Sequence, residues 1–368
     1  MYHQNRFFNG LAMCALLITS LTLSLPDFLS AQTFQIADSL VSDPDVLLMD
    51  PEFDPYNSRM CWQSFENELW TCDIDPVTGK LTRLDGREQL IDTNIVPMPF
   101  TWNGPEWMFS QGGSRIVYHQ KFGSQKFVSQ AFEYAENQWA LTPYLDKQPR
   151  QTPRASKNPA DPFPIVHYVG DGGGIWWRGP QHNYEERQIP GVRDGHIAED
   201  SLVMSLIIDF PHPQPDQIGI FNFDTETIAQ VTWGGDHKSR PYMWIAPEND
   251  ELVMFAREDT ALVIYQQNDT GWVVTRRITS PSGDPAKRFI ASPEPFTFDG
   301  VSYVCFMASS TPLEIDGVVA EIWIARLLDG DPVFRMVSDS APRARTDPEP
   351  YVLDDKVWVY YTEVIDDD

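Results

Sequence analysis

The chain has 368 residues and a formal net charge of −26, from 27 Lys and Arg against 53 Asp and Glu. Nucleic acid and anionic membrane surfaces both require basic protein faces, so this balance excludes them as partners and fits a soluble acidic surface. The length exceeds the roughly 100–200 residues of an ordinary domain, although closed all-β folds often run longer as one unit. The 30 Pro, 22 Gly and many aromatics (12 Trp, 13 Tyr, 21 Phe) suit a fold of short strands and tight turns.

In chain order, Arg6 precedes an apolar run from Leu11 to Leu25, and Leu29-Ser30-Ala31 is a tolerable cleavage site. This is the pattern of an export signal over residues 1–31. The run is short for a membrane span, and Pro26-Asp27 ends it. Met13 before Cys14 is wrong for a lipoprotein box. The expectation is an exported, periplasmic or secreted monomer with no membrane insertion, residues 32–368 forming one domain.

After two extended segments, Thr33 to Ala37 and Val46 to Met49, the stretch Asp50 to Leu84 reads as a complete four-stranded unit. Pro51-Glu52 opens the first strand and Asp54 to Ser58 supplies a hairpin turn. Arg59 to Ser64 and Glu68 to Ile74 are the next strands, followed by a turn at Pro76 to Gly79 and a last strand from Lys80 to Leu84. Gly104-Pro105-Glu106-Trp107 opens a second unit, and the polar stretch Lys147 to Ala160 reads as a long loop. A third unit starts at Asp161-Pro162-Phe163 and a fourth runs from His196 to Trp233, with clean alternation over Gln217 to Thr232. The fifth occupies His237 to Thr279, and the sixth opens at Ser292-Pro293-Glu294. Asp347-Pro348-Glu349 opens a seventh, which has only two strands left.

Four short strands in each repeat of about 35–50 residues predict an all-β fold, a β-propeller of four-stranded blades. Seven blades are expected, with six as the alternative. The half-blade at the C-terminus predicts closure by pairing of N- and C-terminal strands, which leaves no open sheet edge. Cys61 and Cys72 look symmetric about the Glu66-Asn67 turn, so a cross-strand disulfide is expected, against the alternative of two small buried residues.

The repeat resembles that of TolB-like and WD-repeat-like propellers. Pro51-Glu52-Phe53-Asp54-Pro55, Trp70-Thr71-Cys72-Asp73 through Gly79-Lys80-Leu81-Thr82, and Ile220 to Asp224 with Val231-Thr232 match the TolB-like pattern. The openings Glu294 to Gly300 and Asp347 to Pro350 are similar to those of arabinanase-like glycosidase propellers. That resemblance implies acidic residues pointing into a central funnel.

Acidic residues recur at the strand openings: Asp50, Glu52, Glu106, Asp161, Glu294, Asp347 and Glu349. The innermost strands of a propeller converge, so equivalent positions form a ring. Such a ring can cap strand starts, bind a ligand or gather Ca²⁺, a hard cation preferring oxygen. It can also supply a glycosidase acid and base, for which Glu294, Asp347 and Glu349 are the candidates. Apart from Ca²⁺, no cofactor is expected. Glu52, Glu106, Asp161 and Arg240 are the ligand-binding candidates, with Trp107 and Trp244 as stacking platforms. His196 and His237 occupy like places before two units and are the candidates for a metal site, as in TolB-like lyases. The leading functional expectation is a binding or scaffold module taking a protein or glycan at its axial mouth. A glycoside hydrolase and a His-metal polysaccharide lyase are the alternatives.

Overall fold

The computed structural model describes residues 36–40, 48–64, 66–82, 88–96, 103–144, 149–160, 164–170, 173–198, 202–211, 213–312, 318–328, 334–353 and 356–364. The expected signal and Asp161 lie outside the described residues. Six antiparallel four-stranded sheets follow one another along the chain. Their innermost strands are Met49–Asp54, Glu106–Met108, Arg150–Ala155, Val192–Ile197, Lys238–Ala246 and Phe289–Phe298, which we take as blades 1 to 6. The last sheet has three strands: Ala344–Leu353 inside, Lys356–Val364 next, and Ile36–Leu40 from the other end of the chain running parallel to the latter.

Among the described residues the complete four-stranded blades therefore number six, the alternative count, and the expected seventh is a three-stranded sheet. The expected pairing of the two chain ends is present in the three-stranded closing sheet. Each innermost strand lies against that of the next sheet, from blade 1 through blade 6 to the closing sheet and back to blade 1. The ring is closed.

Local chemistry explains the strand breaks. Asp54, fully buried, accepts hydrogen bonds from Tyr56 N (2.9 Å) and Asn57 N (3.2 Å), fixing the first hairpin turn. Asn222 does the same for Asp224 N and Thr225 N in blade 4. The apolar core lies in layers between successive blades. Met60, Trp62 and Cys72 face Tyr351, Trp358 and Tyr360 of the closing sheet, whereas Cys61 and Leu69 face Trp107, Ile116 and Tyr118 of blade 2.

That division corrects the expected disulfide. In the ladder Met60 lies opposite Cys72 and Cys61 opposite Thr71, one residue away from the symmetric pairing. A one-residue step moves a side chain to the other face of a sheet. The two cysteines are accordingly free, buried in different interblade layers. Two further expectations also change. Residues 147–160, read as a loop, contain the innermost strand of blade 3, and the fourth strand of blade 1 is Gln89–Asp92 rather than Lys80 to Leu84.

The closing sheet is pinned to blade 1 at Gly79, whose φ is +66° and whose carbonyl accepts from Tyr351 Oη (2.5 Å) and from Tyr360 Oη. A Cβ at Gly79 would lie 2.2 Å from the Trp358 ring. Gly79→Ala is expected to lower stability by about 1–3 kcal/mol through overpacking and the left-handed backbone. An unchanged urea midpoint would show that this contact does not secure the closure.

Candidate axial binding site

The innermost strands share one irregularity. In blades 1, 3, 4, 5 and 6 and in the closing sheet, the ladder skips between Met49 and Glu52, Gln151 and Arg154, Arg193 and His196, Ser239 and Tyr242, Ala291 and Glu294, and Thr346 and Glu349. Inside each skip one residue has left-handed φ: Asp50 (50°), Thr152 (48°), Asp194 (59°), Arg240 (52°), Ser292 (42°) and Asp347 (58°). Blade 2 has Gly104 at the like place, two residues before Glu106. A β-bulge re-aims a side chain, and left-handed non-glycine residues recur where structure is held for a purpose. Here the bulge is repeated around the axis and sets one ring: Glu52, Glu106, Arg154, His196, Tyr242, Glu294 and Glu349.

Of the expected residues, Glu52, Glu106, Glu294 and Glu349 thus occupy ring positions, while Asp347 and Arg240 are the bulge residues beside them. The ring is not uniform. Four carboxylates run consecutively from blade 6 through the closing sheet to blades 1 and 2, and Arg154, His196 and Tyr242 fill blades 3 to 5. Glu52, Arg154, His196, Glu294, Asp347 and Glu349 keep partial water access although they lie on the innermost strands. The innermost strands therefore present a polar, partly accessible ring to the axis.

Its contacts form a nearly continuous network. Lys157 Nζ lies 3.2 Å from Glu52 Oε2 and 3.4 Å from Glu106 Oε2. Arg154 donates to Asn103 Oδ1 (2.8 Å) and to the Gly195 carbonyl (3.1 Å), with its Nε 3.8 Å from Glu106 Oε1. Asn103 in turn donates to Glu106, and the Gly104 N–H to Asp50. Tyr242 Oη donates to Glu294 Oε1 at 2.9 Å, and the His196 and Tyr242 rings lie 4.1 Å apart. The Arg240 N–H donates to Asp194 Oδ2 at 3.3 Å.

Burial and crowding shift the carboxyls upward. Burial, then Asp347 and Glu106, hold Asp50 well above the carboxylate range. Burial and Glu106 raise Glu52, and burial with Glu52 and Glu294 raises Glu349. Burial pushes Glu294 to about 7, against the opposing hydrogen bond from Tyr242. Asp194 goes the other way: burial raises it, but Arg240 and Arg154 prevail and lower it. Burial and Arg154 keep His196 well below its usual value and bring His167 to about 3, so both imidazoles are neutral at neutral pH.

The remaining candidates fall elsewhere. Trp107 is fully buried between blades, donating to the Glu52 carbonyl (2.9 Å) under the Arg59 guanidinium. Trp244 is packed on Phe255 and donates to Ser302 Oγ (3.0 Å). Neither offers a face for stacking, because both point into interblade layers. His237 is exposed, its Nδ1 4.0 Å from Asp216 Oδ2, and is not brought to His196 on the ring. Among the described residues no three His, Cys, Asp or Glu side chains are grouped to hold a metal.

Arg154, Lys157, Asp194 and Tyr242 were not anticipated. Their signal lies in the sequence: Thr152-Pro153-Arg154 and Arg240-Pro241-Tyr242 repeat the Asp50-Pro51-Glu52 and Ser292-Pro293-Glu294 triplets with the last residue changed. Asp194-Gly195-His196 is the same triplet with Gly for Pro.

No family model matches the chain, and no curated protein does. Similar solved structures include TolB from Acinetobacter baumannii, at 15% identity over 62% of this chain and 55% of that one, TM-score 0.39. Others are the Cps50 (Swd1) β-propeller domain of Myceliophteria thermophila, at 9% over 81% and 88%, TM-score 0.49, and an oligogalacturonate lyase in complex with manganese, at 10% over 78% and 77%, TM-score 0.49. The chain spans little more than half of that TolB. No helix among the described residues is long and apolar enough to cross a membrane. The propeller that the repeat implied is met in the arrangement of the chain's own sheets.

Proposed function

We propose that this protein is an exported binding module that takes a glycan at its axial mouth. The observation that carries this reading is the polarity of the ring. A purely structural role would favour the same residue at every bulge, whereas here an acidic arc faces an arc of Arg154, His196 and Tyr242. Carboxyls, a guanidinium, neutral imidazoles and a phenol supply the donors and acceptors that hydroxyl-rich ligands need in a polar site.

The reading is tested on a glycan array with the exported protein and with Tyr242→Phe. Binding by the wild type, weakened about tenfold in the variant, is expected from loss of one hydrogen bond linked to a charged group. Absence of binding to every glycan overturns the reading.

Glycoside hydrolysis is the second reading, favoured by Glu294, whose carboxyl near 7 is poised between its two forms beside other carboxyls. It requires a second carboxyl about 5–5.5 Å away for retention or about 6.5–9.5 Å for inversion. Release of reducing sugar that disappears in Glu294→Gln would support it.

A further inference from the structure

The stacking face that Trp107 and Trp244 do not offer is present elsewhere on the molecule. Of the described tryptophans Trp233 alone is exposed, at 72%. Its side chain makes no hydrogen bond and no ring contact among the described residues. It stands in the connection from the outermost strand of blade 4, Thr227–Gln230, to the innermost strand of blade 5. Gly234 and Gly235 follow it, and a Cβ at either would meet only open space, so a ligand can approach the backbone beside the indole. The connection itself is pinned. Gln217 Nε2 donates to the Gly234 carbonyl (3.0 Å), Gln230 Nε2 to that of Thr232 (2.7 Å) and Lys238 Nζ to that of Asp236 (3.0 Å). A loop held in this way needs little further ordering when a ligand binds.

A line of paired charges joins this indole to the ring. His237 ends the same exposed segment with its Nδ1 4.0 Å from Asp216 Oδ2, and Gln217 adjoins Asp216 in the chain. Asp216 Oδ2 and Asp209 Oδ1 accept from Arg193 at 2.6 and 2.8 Å. Arg193 Nη1 lies 3.9 Å from Oδ2 of Asp194, the bulge residue two before His196. Asp209 and Asp216 each keep a second oxygen without a partner among the described residues. A sugar ring has one face of C–H groups and an edge of hydroxyls, which suits an aromatic face beside fixed carboxylates. A protein partner would need a cluster of apolar anchors, and residues 234–237 supply none. Asp194, Asp209 and Asp216 outnumber Arg193 along this line, which disfavours an acidic sugar.

We propose, resting on the glycan reading, that Trp233 is the stacking platform of an outer subsite. The glycan is a neutral oligosaccharide that runs from the axial ring past Arg193 to this indole.

Isothermal titration of the exported protein tests this with cellohexaose, xylohexaose, arabinohexaose and mannohexaose, their disaccharides, and hexagalacturonate. At least one neutral hexasaccharide is expected to bind, more tightly than its disaccharide and than hexagalacturonate. Trp233→Ala should weaken that binding about tenfold, Trp233→Phe less, and Tyr242→Phe about tenfold as well. Because Trp233 is exposed, its variants should keep the wild-type urea midpoint. The bound hexasaccharide should also shield the wild-type protein from acrylamide quenching and leave the quenching of Trp233→Phe unchanged. Loss confined to Tyr242→Phe, or binding of hexagalacturonate alone, overturns the outer subsite and leaves the glycan reading standing. Silence of the whole panel beside an array that binds other glycans does the same. Loss confined to Trp233→Ala, or a blank array, defeats instead the axial reading on which the subsite rests.

Discussion

Arg345→Ala is expected to destabilise the protein by about 3–5 kcal/mol, a large share of the roughly 5–15 kcal/mol that holds an ordinary domain together. The Arg345 side chain is wholly buried in the innermost strand of the closing sheet, with its Nε 2.7 Å from Glu363 Oε2, itself 1% exposed. Its Nη1 donates to the carbonyls of Ala320 (3.0 Å), Ala341 (3.2 Å) and Asp339 (3.3 Å), and Nη2 pairs with Asp339. Ala320 begins the third strand of blade 6, so one guanidinium fastens blade 6 to the closing sheet. Truncation leaves Glu363 buried with only Arg343, which is half-exposed, and removes a donor from three carbonyls, of which that of Ala341 keeps the Arg343 N–H. A second change, Glu363→Leu in the Arg345→Met background, should recover part of the loss by removing the orphaned charge, but not the part owed to the carbonyls. Guanidinium unfolding measures both. A shift below about 1 kcal/mol for Arg345→Ala would mean that this network does not secure the closure.

Glu294→Gln should act in the opposite direction, stabilising the protein at mildly alkaline pH. The folded-state carboxyl lies at about 7 against 4.5 for an ordinary Glu. Below about 4.5 both states carry the proton. Between 4.5 and 7 the native state holds a proton that the unfolded chain releases, so stability declines as pH rises through this window and the loss is complete above it. That shift corresponds to at most about 3 kcal/mol, less whatever solvent screens. Glu52, Glu349 and Asp50, raised by burial and mutual crowding, act in the same sense, while Lys157 and Arg154 oppose it. Gln retains the oxygen that accepts from Tyr242 and cannot ionise. The melting temperature of Glu294→Gln should therefore exceed that of the wild type near pH 8 and converge on it near pH 4.5. Parallel curves for the two proteins would rule out crowding at the ring.

Much of this molecule is legible in its amino acids. Asp54-Pro55 and Asn222 carry their own turn chemistry, the segment Gln217 to Thr232 alternates as a hairpin should, and the Pro-Glu openings mark the innermost strands of four sheets. The two strands left over at the C-terminus foretold closure by the other end of the chain, because a half-sheet exposes an edge. Other features lay beyond local pattern. Residues 150–155 form the innermost strand of blade 3 and carry Arg154 of the polar ring, so they lack the apolar alternation that reveals strands packed on a core. Cys61 and Cys72 were parted by a single step of register, and Trp107 and Trp244 could not be assigned to an interblade layer or the axis without knowing which face each strand turns inward. Composition and turn chemistry by themselves determined the class of fold and its repeat. Only the tertiary structure decided which side chains meet, since a ring around an axis is made by the closure of sheets far apart in the chain, and closure brought Arg154, His196 and Tyr242 to face the carboxylates.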